Sequence, residues 1–188
     1  MEAGLARGGS EPVTAPPAGI DRLVDIDGHR LRLRAVVPDD AEALVRFHEG
    51  LSSETVYRRF LGPHPRLSAD EVRRFVTVDY ADRLALVVED GERLVAVGRY
   101  DRLPGTDEAE VAFVVADAFQ HHGIGKLLLG ELARAARTRG IVTFVASTLS
   151  DNRDMLRVFF DSGYDVTSSH SSGVVDVRFD IAAAGSSR

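Results

Sequence analysis

The 188-residue sequence contains no cysteine. Disulfides, thiolate nucleophiles and thiolate metal sites are therefore excluded. An excess of positive charge is also missing: 23 Lys and Arg face 29 Asp and Glu, a formal net charge of −6. That is the wrong sign for a dedicated nucleic-acid binder. It mildly favours a cationic partner, although a charge of this size also serves solubility. No apolar run approaches the ~20 residues needed to span a bilayer. Met1 to Ala18 has no apolar h-region, so no secretory leader is expected and the chain reads as cytoplasmic. What is present is ordinary globular material, 44% hydrophobic and 28% charged, enough for one domain with a single core.

Gly, Pro, Ala and Ser dominate residues 1–22, which read as a disordered tail, and residues 183–188 read the same way. A single domain over 23–182 remains. His29 to Val37 alternates Arg30, Arg32 and Arg34 with Leu31, Leu33 and Ala35, as a strand with one wet face does. Pro38-Asp39-Asp40 and Ser52-Ser53-Glu54 start helices, and Ser68 with Glu71 forms a capping box before a third. Leu84–Val88 and Leu94–Tyr100 flank Asp90-Gly91, a favoured hairpin turn. Glu110–Val115 is a further strand. A helix is expected from Gly123 to Arg139, a buried strand over Ile141–Ser147, a helix over Asn152–Asp161 and a last strand over Val174–Ile181. The order β-α-α-α-β-β-β-α-β-α-β-β implies an α/β (α+β) domain, a mixed sheet with helices on its faces.

The chemistry concentrates in Val114-Val115-Ala116-Asp117-Ala118-Phe119-Gln120-His121-His122-Gly123-Ile124-Gly125-Lys126. A strand ends, and a Gly-containing loop opens a helix. Helix N-termini present unpaired N–H groups and the positive end of the dipole, so such a loop suits a pyrophosphate. A Walker loop is excluded, because Gln120 stands where its first Gly belongs and Leu127 follows Lys126. A dinucleotide fingerprint is excluded by Leu128. What remains, Gln120-x-x-Gly123-x-Gly125, resembles the acyl-CoA signature of the GNAT-superfamily N-acetyltransferases. Asn152-Arg153-Asp154-Met155 after the next strand, and Gly163-Tyr164 after the next helix, extend that resemblance over about residues 29–181. It implies a mostly antiparallel sheet of six to seven strands. It also implies acetyl-CoA as co-substrate.

The stretches SSETVYRRFLGPHPRLS, RYDRLPG, AEVAFVV, LSDNRDML and GVVDVRF resemble, more narrowly, the catalytic domain of Pat-type bacterial protein lysine acetyltransferases. The implied reaction is acetyl transfer to a lysine ε-amine on a protein, with AMP-forming acyl-CoA synthetases as the best-known targets. That family often carries a fused regulatory domain. This chain has no room for one, so any regulation is expected from elsewhere. Lysine has a pKa of about 10.4, so a base must take a proton before the amine attacks. The resemblance assigns that role to Glu110, with Glu108 as the fallback on the same strand face.

By the same resemblance, Phe113, Val114 and Val115 line the pantetheine arm. The amides of His121, Gly123, Ile124, Gly125 and Lys126 receive the pyrophosphate, with His122 in the place where relatives carry Arg. Gln120 orders the loop or touches a phosphate, Asn152 binds the arm, and Met155 and Phe159 complete the cofactor wall. Phe159 stands where many GNAT enzymes have a Tyr general acid, which leaves the acid unassigned. No metal is expected: His121 and His122 are adjacent, but the other histidines are scattered. The arginines at 58, 59, 66, 73 and 74 read as a solvated helical face, with the adenosine 3′-phosphate or an acidic protein surface as the alternative contacts for some of them. Two other functions fit the same loop, a small-amine acetyltransferase acting on a polyamine, amino acid or aminoglycoside, and a non-catalytic acyl-CoA-binding module.

Overall fold

A computed structural model describes residues 15–182. The tails expected at 1–14 and 183–188 lie outside the described residues. The remainder of the expected N-terminal tail is not separate from the domain: Ile20 is buried in the core and Arg22 opens a strand. The elements are β1 (Arg22–Ile26), β2 (His29–Ala35), α1 (Ala41–Glu49), α2 (Ser53–Phe60), α3 (Ala69–Val76), β3 (Arg83–Asp90), β4 (Arg93–Arg102) and β5 (Glu108–Val115). They continue with α4 (Ile124–Arg137), β6 (Thr143–Leu149), α5 (Arg153–Phe160), β7 (Asp165–Ser171) and β8 (Val174–Asp180). Among the described residues, no helix is long and apolar enough to cross a membrane.

The strands form one sheet in the order β1-β2-β3-β4-β5-β6-β8-β7. Eight strands replace the six to seven expected, because β1 precedes the first strand read from the sequence. Arg22, Val24 and Ile26 face inward while Leu23 is 55% exposed, so the apolar alternation that marks a strand is blurred there. Asp27-Gly28 joins β1 to β2 with φ of 50° and 81°, the positive values of a two-residue hairpin turn. The β3–β4 turn is shifted by one residue from expectation. Asp90 pairs with Arg93, so Gly91 and Glu92 are its centre.

Helices cover the sheet unevenly. On one face, α4 lies against β4 where Gly98 leaves room for it. A Cβ at Gly98 would meet the Leu128 Cβ at 3.2 Å. Phe113, Phe159 and Phe179 stack on this side, with ring centroids 5.9 and 5.0 Å apart in sequence along the row. Burying three phenyl rings stabilises the domain by about 1.5–3 kcal/mol each. On the opposite face, α1, α2 and α3 close over Val97, Ala112 and Val114 of β4 and β5. Ser52 caps α2 and the Ser68–Glu71 capping box opens α3, as the sequence suggests.

The site depends on one interruption. Strands β5 and β6 run parallel and pair only at Glu108–Thr143, Ala109–Phe144 and Glu110–Val145. Beyond Glu110, β5 stays paired with β4 as far as Val115, but no longer with β6. The two strands part and leave a wedge between them.

Candidate active site

The wedge opens into a cleft of about 570 Å³. Glu110 stands where the strands separate, and the turn before α4 closes the far side. Apart from His122, every cofactor-site residue expected from the sequence borders this cleft. The structure thus brings Glu110, Phe113, Val114, Val115, Gln120, His121, Gly123, Ile124, Gly125, Lys126, Asn152, Met155 and Phe159 together.

The loop before α4 is built to receive an anion. Among the described residues, none of the backbone N–H groups of residues 121–126 donates to a backbone carbonyl, whereas that of Leu127 donates to Gly123. Six unpaired donors at the positive end of a 14-residue helix are a strong anion site. Residues His121 and Gly123 have φ of 67° and 86°, the left-handed bends that turn these amides one way. The two glycines are required for different reasons. At Gly123 the backbone demands it and nothing lies near a would-be Cβ. At Gly125 a Cβ would sit 3.2 Å from the Val158 Cγ2 of α5.

Gln120 orders this loop. Its Nε2 donates to the Val115 carbonyl and to Thr55 Oγ1, each at 3.1 Å. Thr55 Oγ1 in turn donates to Asp117 at 2.8 Å, and Asp117 also accepts from the Ser52 amide (3.0 Å) and hydroxyl (2.6 Å). This chain of bonds ties the start of α2 to the cofactor loop. Desolvation raises the Asp117 pKa, but the hydrogen bonds from Ser52 and Thr55 outweigh it and hold the carboxyl below its ordinary value. Asp117 was not singled out in the sequence. No local signal marked it, because its partner Ser52 is 65 residues away in sequence.

The two histidines take different positions. His121 is exposed, its Nδ1 3.7 Å from Asp154. His122 turns away from the cleft, with Nδ1 2.5 Å from Asp27 and its ring edge-on to His29. It therefore fastens the loop to the β1–β2 turn and does not stand in for a phosphate-binding Arg. Asn152 is buried and caps α5, its Oδ1 accepting from the Met155 amide at 3.2 Å. Its side-chain NH₂ donates to no protein group among the described residues, so capping leaves it free for a ligand. Phe159 is 2% exposed and packs between Phe113 and Phe179.

The two candidate bases differ. Glu110 is exposed at the cleft and makes no ion pair among the described residues. Glu108 is held by the Arg178 guanidinium through two hydrogen bonds, which lower its pKa and occupy both oxygens.

Arg59 corrects the sequence reading of a solvated arginine face. Arg73 does pair with Asp70 on the surface, while Arg58 pairs with Glu54 and also borders the cleft. Arg59 instead turns inward, half-buried, and borders both the cleft and a small apolar cavity under α1–α3. It has no carboxylate within 4.0 Å among the described residues. Desolvation, reinforced by the Arg99 charge and opposed by Glu110 and Asp101, holds its pKa down to about 10. Arg59 follows the buried Val56 by three residues, the helical spacing that marks the inner face of α2.

An open strand edge, a helix N-terminus with unpaired amides and a carboxylate at the fork border one cleft, a layout suited to a ligand with an extended arm and phosphates. Residues 30–165 match the acetyltransferase (GNAT) domain family. The chain belongs to the GNAT acetyltransferases. Acetyl-CoA is the donor that goes with that family. The GNAT domain of PAT from S. lividans superposes with a TM-score of 0.83 at 43% identity, covering 88% of this chain and 99% of that one. Acetyltransferase Pat of Mycolicibacterium smegmatis is 34% identical over 162 residues, 76% of this chain and 48% of that protein. An acetyltransferase of Pseudomonas aeruginosa is 31% identical over 133 residues, 69% of this chain and 72% of its own length. The chain thus spans about half the length of the mycobacterial relative.

Proposed function

We propose that this GNAT domain transfers acetyl from acetyl-CoA to the ε-amine of lysine on a protein, with Glu110 as general base. The observation that carries the reading is the cleft itself. Free amides of residues 121–126 close one side, and Glu110 stands at the β5–β6 fork. The relatives named Pat support the choice of a protein acceptor, and an AMP-forming acyl-CoA synthetase is the acceptor to try first.

The proposed chemistry is direct attack in a ternary complex. The pyrophosphate rests on the amides before α4, and the arm lies along β5 beyond Glu110. Asn152 donates its free NH₂ to the arm. The lysine ammonium gives a proton to Glu110, directly or through water, and the neutral nitrogen attacks the thioester carbonyl. The N–C bond forms as the C–S bond breaks, CoA leaves as the thiolate, and the second proton of the attacking nitrogen passes to that thiolate or to solvent, which leaves the neutral amide. A backbone N–H of β5 faces the developing oxyanion. Phe159 donates no proton, so the thiolate leaves without a tyrosine acid. A thiolate tolerates this because its own pKa is low, about 8.5 for a simple thiol.

The test is incubation of the purified domain with acetyl-CoA and an AMP-forming acyl-CoA synthetase, read by mass spectrometry for acetyl-lysine. Enzyme-dependent acetyl-lysine is expected. CoA release with spermidine or an aminoglycoside, and none with protein, would overturn the protein-lysine reading.

A further inference from the structure

Glu110 belongs to two cavities. Besides the cofactor cleft, it borders an open groove of about 550 Å³, and both cavities also share Ser147. The sheet register explains the groove. Glu110 pairs with Val145, Val145 with Arg178 and Arg178 with Thr167, a row across β5, β6, β8 and β7 on one face. The next row on that face is Ser147, Asp176 and Ser169. Helices α1–α3 cover this face over β4 and β5. Helix α2 reaches β6, but over β8 and β7 no helix among the described residues covers it, and Ser147, Thr167, Ser169, Asp176 and Arg178 are all exposed. The opposite side of the same strands is core, with Phe144, Val175, Val177 and Phe179 buried.

The groove is acidic. Its cation, Arg178, is taken up by Glu108. Asp176 accepts from Ser147 Oγ through Oδ1 at 2.5 Å, and its Oδ2 accepts from no protein group among the described residues. An unneutralised carboxylate beside hydroxyl-bearing Ser and Thr complements a polypeptide that carries positive charge. Asp176 lies two strands from Glu110 and is displaced by two residues along them. With strands ~4.8 Å apart and ~3.3 Å per residue, the two carboxylates are roughly 12 Å apart. An extended segment rises ~3.3 Å per residue and alternates its side chains between faces, so that spacing matches same-face side chains about four residues apart.

We propose that the exposed face of β6, β8 and β7 is the acceptor track, and that Asp176 reads a second basic residue about four positions from the target lysine. The inference rests on the protein-lysine reading and adds a sequence preference to it. The occupant is an extended, basic acceptor segment that crosses β8 with its lysine at Glu110.

The experiment uses peptides with one lysine and either arginine or alanine four residues away, with wild type, Asp176→Asn and Ser169→Lys. Exposed charge pairs are modest, so arginine should lower the wild-type acceptor KM by about two- to fivefold. In Asp176→Asn this preference should vanish. In Ser169→Lys, where the exposed groove gains a cation, it should vanish or reverse. The KM for acetyl-CoA should stay within about twofold throughout, which separates a lost acceptor contact from a damaged fold. Equal KM values for the two peptides with wild type, or a preference that survives both substitutions, would overturn the track and leave the lysine reading standing. No transfer to any peptide or to the acyl-CoA synthetase would overturn both.

Discussion

The two glycines of the cofactor loop can be separated by experiment, because the structure gives them opposite reasons to be glycine. At Gly123, φ is +86° and a would-be Cβ meets nothing within 4 Å. The cost of Gly123→Ala is therefore purely a backbone cost, about 1–2 kcal/mol for an L-residue in the left-handed region. For a domain of this size that lowers Tm by roughly 2–8 °C. The same change tilts the amides that follow. Losing one charge-assisted hydrogen bond of about 1.5 kcal/mol weakens CoA binding about tenfold. At Gly125 the conflict is steric, with Val158 Cγ2 3.2 Å from the added carbon. A helical Gly→Ala change gains up to about 1 kcal/mol, which this overlap opposes.

A double-mutant cycle with Val158→Ala distinguishes the two. Removing the valine methyls should make Gly125→Ala more favourable than in wild type and leave the cost of Gly123→Ala unchanged. The assays are thermal unfolding and calorimetric titration with CoA. The reasoning is refuted if Gly123→Ala is neutral in both assays, or if Val158→Ala relieves both glycine substitutions equally.

Three other outcomes follow from the site. Asp117→Asn should destabilise the domain at neutral pH. The Asp117 pKa is lower folded than unfolded, so its contribution is present above the unfolded value of about 3.9 and fades as pH falls through the folded pKa. The gap in Tm between wild type and Asp117→Asn should therefore narrow below about pH 4. Arg59→Met replaces a desolvated cation, which has no carboxylate within 4.0 Å among the described residues, by an apolar side chain. Thermal unfolding should show the Tm unchanged or raised, and a Tm lowered by more than about 4 °C would contradict the absence of a partner. Phe159→Tyr puts a hydroxyl into the Phe113–Phe159–Phe179 stack. It should cost about 1–3 kcal/mol in urea unfolding and should not raise kcat.

The loop before α4 was legible because its determinants are local: Gly123 and Gly125 at fixed spacing, between an apolar strand and an apolar helix. The position of Glu110 was legible by family resemblance. The reason it matters, the parting of β5 and β6, was not, because Ala112 and Val114 alternate the same way whether or not a neighbouring strand is present. Strand β1 was missed because Leu23 points outward and Arg22 inward, where it pairs with Glu131 at 2.8 Å. Asp27-Gly28 was the available signal for that hairpin. His122 looked like a phosphate ligand because only its place in the loop was visible. Its partner Asp27 is 95 residues away in sequence. Arg59 was hidden by its neighbours, since Arg58 borders the cleft as well and only Arg59 also reaches the cavity under α1–α3.

The central claim is that Glu110 deprotonates the acceptor at a fork already holding acetyl-CoA. Its most direct test compares Glu110→Gln with wild type under saturating acetyl-CoA and acyl-CoA synthetase, alongside a calorimetric titration of acetyl-CoA. The account predicts a loss of about 10²–10⁴ in the rate of acetyl-lysine formation, with acetyl-CoA binding unchanged. A variant that transfers acetyl at the wild-type rate would contradict it.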